Sequence, residues 1–278
     1  MTGGFASFSA ADLIAKLLTV DFHPIQIVWS RQLGIAAVIV ILLMLKGPSI
    51  FRTAVPKLQV ARGMFAVMSA TCFIYAISYV PLADAVAVTF AAPFMVTIFS
   101  ALILGEKVGP RRWTAVTVGF LGTLVIIRPG YGVFHPAIFL VLLAALAFAL
   151  RQIISRPIGK LDPTITTLVY TSMTALVVLL IPLPFIWKTP VSSYHFILLL
   201  GLALLSGLGE YLIIRALEMA EAVVVTPMHY SLIIFSTFWG YLFFADLPDQ
   251  WTLIGATIVI ASGLYIVYNE RRRSRSAA

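Results

Sequence analysis

The chain has 278 residues with a formal net charge of +8; 61% are hydrophobic, 11% charged, and the mean hydropathy is +1.02. A soluble domain is roughly half apolar and about a quarter charged, so this much hydrocarbon excludes a water-soluble fold and makes lipid the main solvent. The lone cysteine, Cys72, excludes an intrachain disulfide, and the dispersed basic residues suit bilayer orientation better than nucleic-acid binding.

In chain order, apolar segments fall at 5–20, 25–45, 63–82, 84–104, 113–129, 136–155, 163–187, 194–214, 222–245 and 250–269. Each is predicted to be helical, because lipid offers no partner to an open backbone amide or carbonyl. Turns are expected at Lys46-Gly47-Pro48, Gly109-Pro110, Arg128-Pro129-Gly130, Asp162-Pro163 and Leu247-Pro248-Asp249. The first segment is weak: Met1-Thr2-Gly3-Gly4 is polar, and Asp12 and Lys16 interrupt its apolar run, so it is either a poor helix or, the favoured reading, a clipped or alternative start. Residues 1–11 contain no Lys or Arg, unlike a cleavable signal peptide.

Basic residues set the expected orientation. With the N-terminus cytoplasmic, the inner loops hold Lys46, Arg52, Lys57, Arg62, Lys107, Arg111, Arg112, Arg156, Lys160 and Arg215, and the tail adds Arg271, Arg272, Arg273 and Arg275. The outer loops hold only Arg128 and Lys188, which places both termini inside and favours an even number of spans. Five spans per half reverses the second half in the membrane. Ala76 and Ala216 recur at an offset of 140, as do Glu106 and Asp246, while Trp113-Thr114 and Trp251-Thr252 recur at 138. The fold class predicted is all-α membrane protein, with ten transmembrane helices as two inverted five-helix repeats. The first repeat is assigned to 1–130, the second to 136–270, and a basic cytoplasmic tail to 271–278.

Small residues at Ala83, Ala87 and Ala91, at Ala145 and Ala149, and at Ala203 and Gly207 are spaced for close helix packing. Pro93 in mid-span, and Pro227 and Pro182 near helix ends, permit bends that a moving transporter or a static kink would both use.

Ionisable groups inside the spans are costly, and therefore informative. Glu210 is read as a proton-coupling or cation-contacting group, or as a carboxylate snorkelling to the inner interface. His229 offers a charge switch and Tyr230 a stacking ring; the bland alternatives are a carbonyl-satisfied histidine and an interfacial anchor. Arg151 could neutralise Glu210 or attract an anion, unless the sixth helix ends near 150 and leaves it at the cytoplasmic edge. Asp12 and Lys16, four apart, are expected to neutralise each other, with Arg31 reaching the outer interface, Asp12 or Asp84. Tyr75, Tyr79, Phe90 and Phe94 could give the interior an aromatic lining. No phosphate loop, C-x-x-C, H-E-x-x-H or G-x-S-x-G motif occurs, so neither an ATP-driven pump nor one of these enzyme classes is indicated, and no metal or cofactor is expected.

The stretch Tyr75-Ala76-Ile77-Ser78-Tyr79-Val80-Pro81-Leu82-Ala83-Asp84-Ala85, with Ala92-Pro93, Leu104-Gly105-Glu106-Lys107, Gly119-Phe120-Leu121-Gly122 and Arg128-Pro129-Gly130, resembles the first repeat of the EamA family of the drug/metabolite transporter superfamily. Ile214-Arg215-Ala216-Leu217, Thr226-Pro227, Tyr230, Pro248-Asp249, Leu253-Ile254-Gly255-Ala256 and Ser262-Gly263-Leu264-Tyr265 resemble the second. Phe8-Ser9-x-x-Asp12-x-x-x-Lys16 and Trp29-Ser30-Arg31 resemble a subgroup with carriers proposed for S-adenosylmethionine, riboflavin and opines. The resemblance implies a multi-pass inner-membrane carrier of a small organic metabolite, by efflux or exchange, working by alternating access between inverted repeats. Protons are a candidate coupling partner, and a homodimer is left open. The chain departs from the family at Asp246, where glutamate is commoner, at His229, and at Glu210, where glutamine or histidine is frequent. Competing readings are a membrane-embedded lipid-modifying enzyme, which lacks the clustered ligands it would need, and a non-transporting accessory subunit.

Overall fold

The structure, a computed structural model, describes residues 1–105, 109–127, 135–219, 228–229 and 231–277. In chain order it comprises α1 (Thr2–Leu18), α2 (Pro24–Lys46), a 3-10 turn (Pro48–Phe51), α3 (Pro56–Ile77), α4 (Leu82–Thr89) and α5 (Ala92–Ile103). Beyond these lie α6 (Pro110–Ile127), α7 (Ile138–Ile158), α8 (Thr164–Leu180), a short α9 (Leu183–Ile186), α10 (Ser193–Met219), α11 (Ser231–Phe244) and α12 (Gln250–Ala277). Pro24–Lys46, Pro56–Ile77, Leu82–Ile103, Ile138–Ile158 and Ser193–Ile213 are each long and apolar enough to cross a bilayer. Trp113–Ile127, Thr164–Leu180, Ser231–Phe244 and Gln250–Tyr265 are shorter apolar helices. This is a multi-pass, all-helical membrane protein.

Several boundaries differ from the sequence expectation, each for a local reason. The expected span 84–104 is two helices, because Pro93 sits in the first turn of α5 and has no amide to extend α4. The turn closes through Phe90 and Ala91, whose amides donate to the Ala87 and Val88 carbonyls at 3.3 and 3.0 Å. Pro182 similarly separates α8 from α9. Pro56 opens α3 well before residue 63, so Arg62 belongs to a helix and not to a loop. The other expected bend, Pro227, lies outside the described residues.

The first helix is also fuller than its hydropathy suggests. Its glycines are contact points: a Cβ on Gly4 would lie 2.8 Å from the Ile213 side chain and 3.1 Å from the Gly209 carbonyl oxygen of α10. Among lipid-immersed helices, where burial of apolar surface supplies little drive, such close approach supplies the dispersion energy. The tightest crossing joins α2 to α10. A Cβ on Gly34 would come within 1.7 Å of the Ala203 carbonyl oxygen, and one on Gly207 within 2.7 Å of the Gly34 oxygen. The Ala203/Gly207 stripe therefore packs as expected, and Ala83, Ala87, Ala91, Ala145 and Ala149 are all buried. Gly122 of α6 and Gly255 of α12 face each other in the same manner.

The strongest packing partners run between the first and second halves of the chain. α3 lies on α7 and α8, α10 on α1 and α2, α6 on α12, α1 on α11, and α4 and α5 on α7. Exchanging α1 with α7, α2 with α8, α3 with α10, α4/α5 with α11 and α6 with α12 leaves this set of pairings unchanged.

Candidate functional site

Five charged side chains gather inside the bundle. Glu210 of α10 interacts electrostatically with Arg151 of α7, Arg31 of α2 and Arg62 of α3. Arg31 donates from Nη1 to Asp12 Oδ1 of α1 at 2.7 Å, with both side chains largely buried. On insertion scales a charge at mid-bilayer costs about 3 kcal/mol, so five unpaired would cost on the order of 15 kcal/mol. That equals the whole stability of an ordinary domain, so these groups must be paired, hydrogen-bonded or hydrated. Arg62 is hydrogen-bonded: its Nε donates to Ser155 Oγ at 2.6 Å and its Nη1 to Thr171 Oγ1. Arg31 also lies 5.0 Å from the centre of the Phe8 ring.

Arg151 and Glu210 are satisfied differently. The Arg151 guanidinium lies 4.6 Å over the Phe148 ring, yet its Nε is buried and has no hydrogen-bond acceptor among the described residues. No ion pair within 4.0 Å joins Glu210 to any arginine among the described residues. Arg151 and Glu210 are both deep among protein atoms and keep part of their surface accessible. His229 shares this enclosure and feels the Arg151 charge; its ring stacks on Phe5 at 4.8 Å and meets Phe90 edge-on at 5.7 Å.

A second group of polar contacts lies at the far ends of these helices. Lys16 does not neutralise Asp12, as the spacing suggested. It reaches along α1 to Asp246 at 3.4 Å and the Val80 carbonyl at 3.2 Å, over the Phe244 ring, and it also feels Asp84. Asp12 is free to take Arg31, one of the partners expected for it. Tyr75 donates to or accepts from His23 Nε2 at 2.7 Å, and the exposed Tyr79 stacks on His135 at 5.2 Å. His23 caps α2 just outside the span, and burial holds its imidazole below the usual histidine range. Gln26, fully buried, exchanges two hydrogen bonds with the Lys188 backbone at 2.8 and 3.0 Å. At the opposite end Asp162, in the turn between α7 and α8, accepts from Thr53 Oγ1, the Ala54 amide at 3.0 Å and Gln59 Nε2 at 2.8 Å.

Of the residues singled out from sequence, Glu210, Arg151 and His229 come together with Arg31 and Asp12. Arg151 is not at a helix end, since α7 continues to Ile158. Tyr75 stands thirteen residues along α3 from Arg62, about 20 Å at helical rise, so it belongs to the other end. Phe94 is 2% exposed and its ring fills the notch at Gly119, where a Cβ would meet it at 2.0 Å. Tyr230 lies outside the described residues. Arg62 was missed as an interior charge; the proline at 56 was the signal that α3 begins early enough to include it.

Apolar spans packed around enclosed charges, held by glycine contacts, fit a polytopic membrane carrier. Similarity to known proteins agrees. The chain belongs to the EamA-like transporter family, whose model matches residues 1–128 and 135–268. It is similar to an S-adenosylmethionine uptake transporter of Rickettsia felis, 29% identical over 96% of this chain and 90% of the relative. It is also similar to a pseudopaline exporter of Pseudomonas aeruginosa, 30% identical over 92% of this chain and 90% of that one. A riboflavin transporter of Vibrio cholerae is 30% identical over 99% and 93% respectively. One crystal structure superposes with a TM-score of 0.64 over 97% of this chain and 98% of its own, at 18% identity, a likeness of fold alone.

Proposed function

We propose that the chain is a secondary transporter of a small organic metabolite in a bacterial inner membrane, with the enclosed charges around Glu210 lining its cargo site. The observation that carries this reading is a set of costly charges, on helices from both halves, that keep accessible surface while surrounded by protein. Transport proceeds by alternating access, the two halves rocking about that site as inverted repeats, with both termini cytoplasmic. The exchange symmetry of the helix pairings supports the repeat, and the excess of inner-loop basic residues supports the orientation. Relatives named for uptake and for export both match over nearly the whole chain, so the direction rests on the gradient rather than on the fold.

Protons are the proposed coupling ion, exchanged at Glu210 or His229, which, unlike Asp12 with Arg31, are not committed to a close ion pair among the described residues. Purified protein in liposomes, supplied from outside with S-adenosylmethionine, an opine or riboflavin, tests both parts. Accumulation of at least one cargo is expected, together with a rate that follows an imposed pH gradient. Glu210→Gln or His229→Asn is expected to cut the gradient-driven rate by about tenfold or more. Gradient-independent transport, unchanged in both variants, would remove the proton from the mechanism.

A further inference from the structure

We infer that Arg151 is the receiving group of a carboxylate-binding subsite, so that the cargo carries at least one carboxylate; this deepens the transporter reading and rests on it. Three guanidinium groups, Arg31, Arg62 and Arg151, face two carboxylates, Asp12 and Glu210, in the described interior. Further along α1, Lys16 faces Asp246 and Asp84, so these charges balance and the open donors, not net charge, mark the ligand position.

The three arginines are not equivalent. Arg31 is committed to Asp12, and Arg62 spends two of its donors on Ser155 and Thr171. The Arg151 guanidinium makes no hydrogen bond with any described residue, and its Nε is buried without an acceptor. Its Cζ lies 4.6 Å from the centre of the Phe148 ring, and Ser155, which accepts from Arg62, also donates to the Arg151 backbone carbonyl at 2.7 Å. The Phe148 ring contacts the guanidinium while leaving its donor fork unused. A planar fork of N–H groups matches the two oxygens of a carboxylate, which a lysine ammonium would meet only as a point charge. Glu210 is attracted to the same guanidinium, with no ion pair within 4.0 Å among the described residues. A cargo without a carboxylate, such as a flavin, would leave the open fork unanswered.

The test uses purified full-length protein and a fixed panel: S-adenosylmethionine, an opine and several amino acids, each with its amide or decarboxylated counterpart, plus riboflavin. Binding is followed by thermal stabilisation, and transport in liposomes. At least one carboxylate is expected to bind at least about tenfold tighter than its counterpart, and Arg151→Gln is expected to abolish that difference. Arg151→Lys should restore part of the affinity with poorer discrimination. The wild-type comparison alone suffices if either variant fails to fold. Riboflavin or another neutral compound binding best, no discrimination against the amides, or no stabilisation by any carboxylate overturns the subsite. Carboxylate binding without movement across the liposome would instead sink the transporter reading and leave the subsite standing.

Discussion

Asp162 illustrates how a single side chain can hold two halves together at a membrane face. It lies in the α7–α8 turn, outside the spans, and its oxygens tie Thr53, Ala54 and Gln59 on the approach to α3. Burial pushes its carboxyl up, but the hydrogen bonds from Thr53, Ala54 and Gln59 together outweigh this and hold it below its ordinary value of 3.8. The unfolded chain thus binds a proton more readily than the native one. The stability from Asp162 is fully present above about pH 4 and is lost as the pH falls through the native value. Asp162→Asn is expected to destabilise by about 1–3 kcal/mol at neutral pH, since the Ala54 amide and the Gln59 amide lose an ionised acceptor. The difference from wild type should shrink when thermal unfolding in detergent is repeated below about pH 4. A difference that stayed constant from neutral pH down to about pH 3 would show that the carboxylate charge is not what matters.

At the level of the helices, close approach rather than hydropathy decides which positions matter. Gly34 leaves no room for even a methyl group against Ala203, whereas a Cβ on Gly3 would meet Leu212 at an ordinary 3.7 Å. Gly34→Ala is therefore expected to force α2 and α10 apart and lower stability by about 2–3 kcal/mol, while Gly3→Ala should change it by no more than about 0.5 kcal/mol. Equal effects of the two substitutions on the detergent melting temperature would show that the α2–α10 crossing is not the close contact described. Helices were the most legible feature of the sequence, because lipid admits little else, and prolines 93 and 182 marked real breaks. Less legible was how charges choose partners. Asp12 and Lys16 share a helix face at the right spacing, yet each finds a better partner on another helix: Arg31 for one and Asp246 for the other. Local spacing carries no information on such tertiary competition. Glu210, Arg151 and His229 stood out because charge in hydrocarbon is expensive; Arg62 did not, because its helix starts earlier than its hydropathy does. Phe94 was misleading for the opposite reason, since an aromatic ring fills a glycine notch as readily as it lines a cavity.

Across the whole molecule, the pairing of helices has a consequence for how the chain can fold. α1 and α2 find their main partner in α10, and α3 finds its partners in α7 and α8. α6 lies chiefly against α12. Contacts within either half are sparse by comparison, so each half is a set of spans whose small-residue faces have no close neighbour until the other arrives. Glycine faces such as Gly34, Gly122 and Gly207 would then meet lipid, which packs against a groove less well than a complementary helix does. The charges argue the same way: Asp12 and Arg31 come from the first half, but Arg62 needs Ser155 and Thr171, and Arg151 and Glu210 lie beyond the midpoint. Cutting the chain between residues 128 and 135, where the two family matches separate, should therefore yield fragments that depend on each other. Expressed alone, residues 1–131 or 132–278 are expected to accumulate poorly and to resist purification as monodisperse species. Co-expressed, they should co-purify and recover the thermal stability of the intact protein to within a few degrees, the join contributing mainly a modest loop-closure entropy. A first half that purified alone with an intact melting transition would contradict the interlocked pairing. In that event the two copies would be self-sufficient domains, and the enclosed charges would have to be assembled by docking rather than by folding.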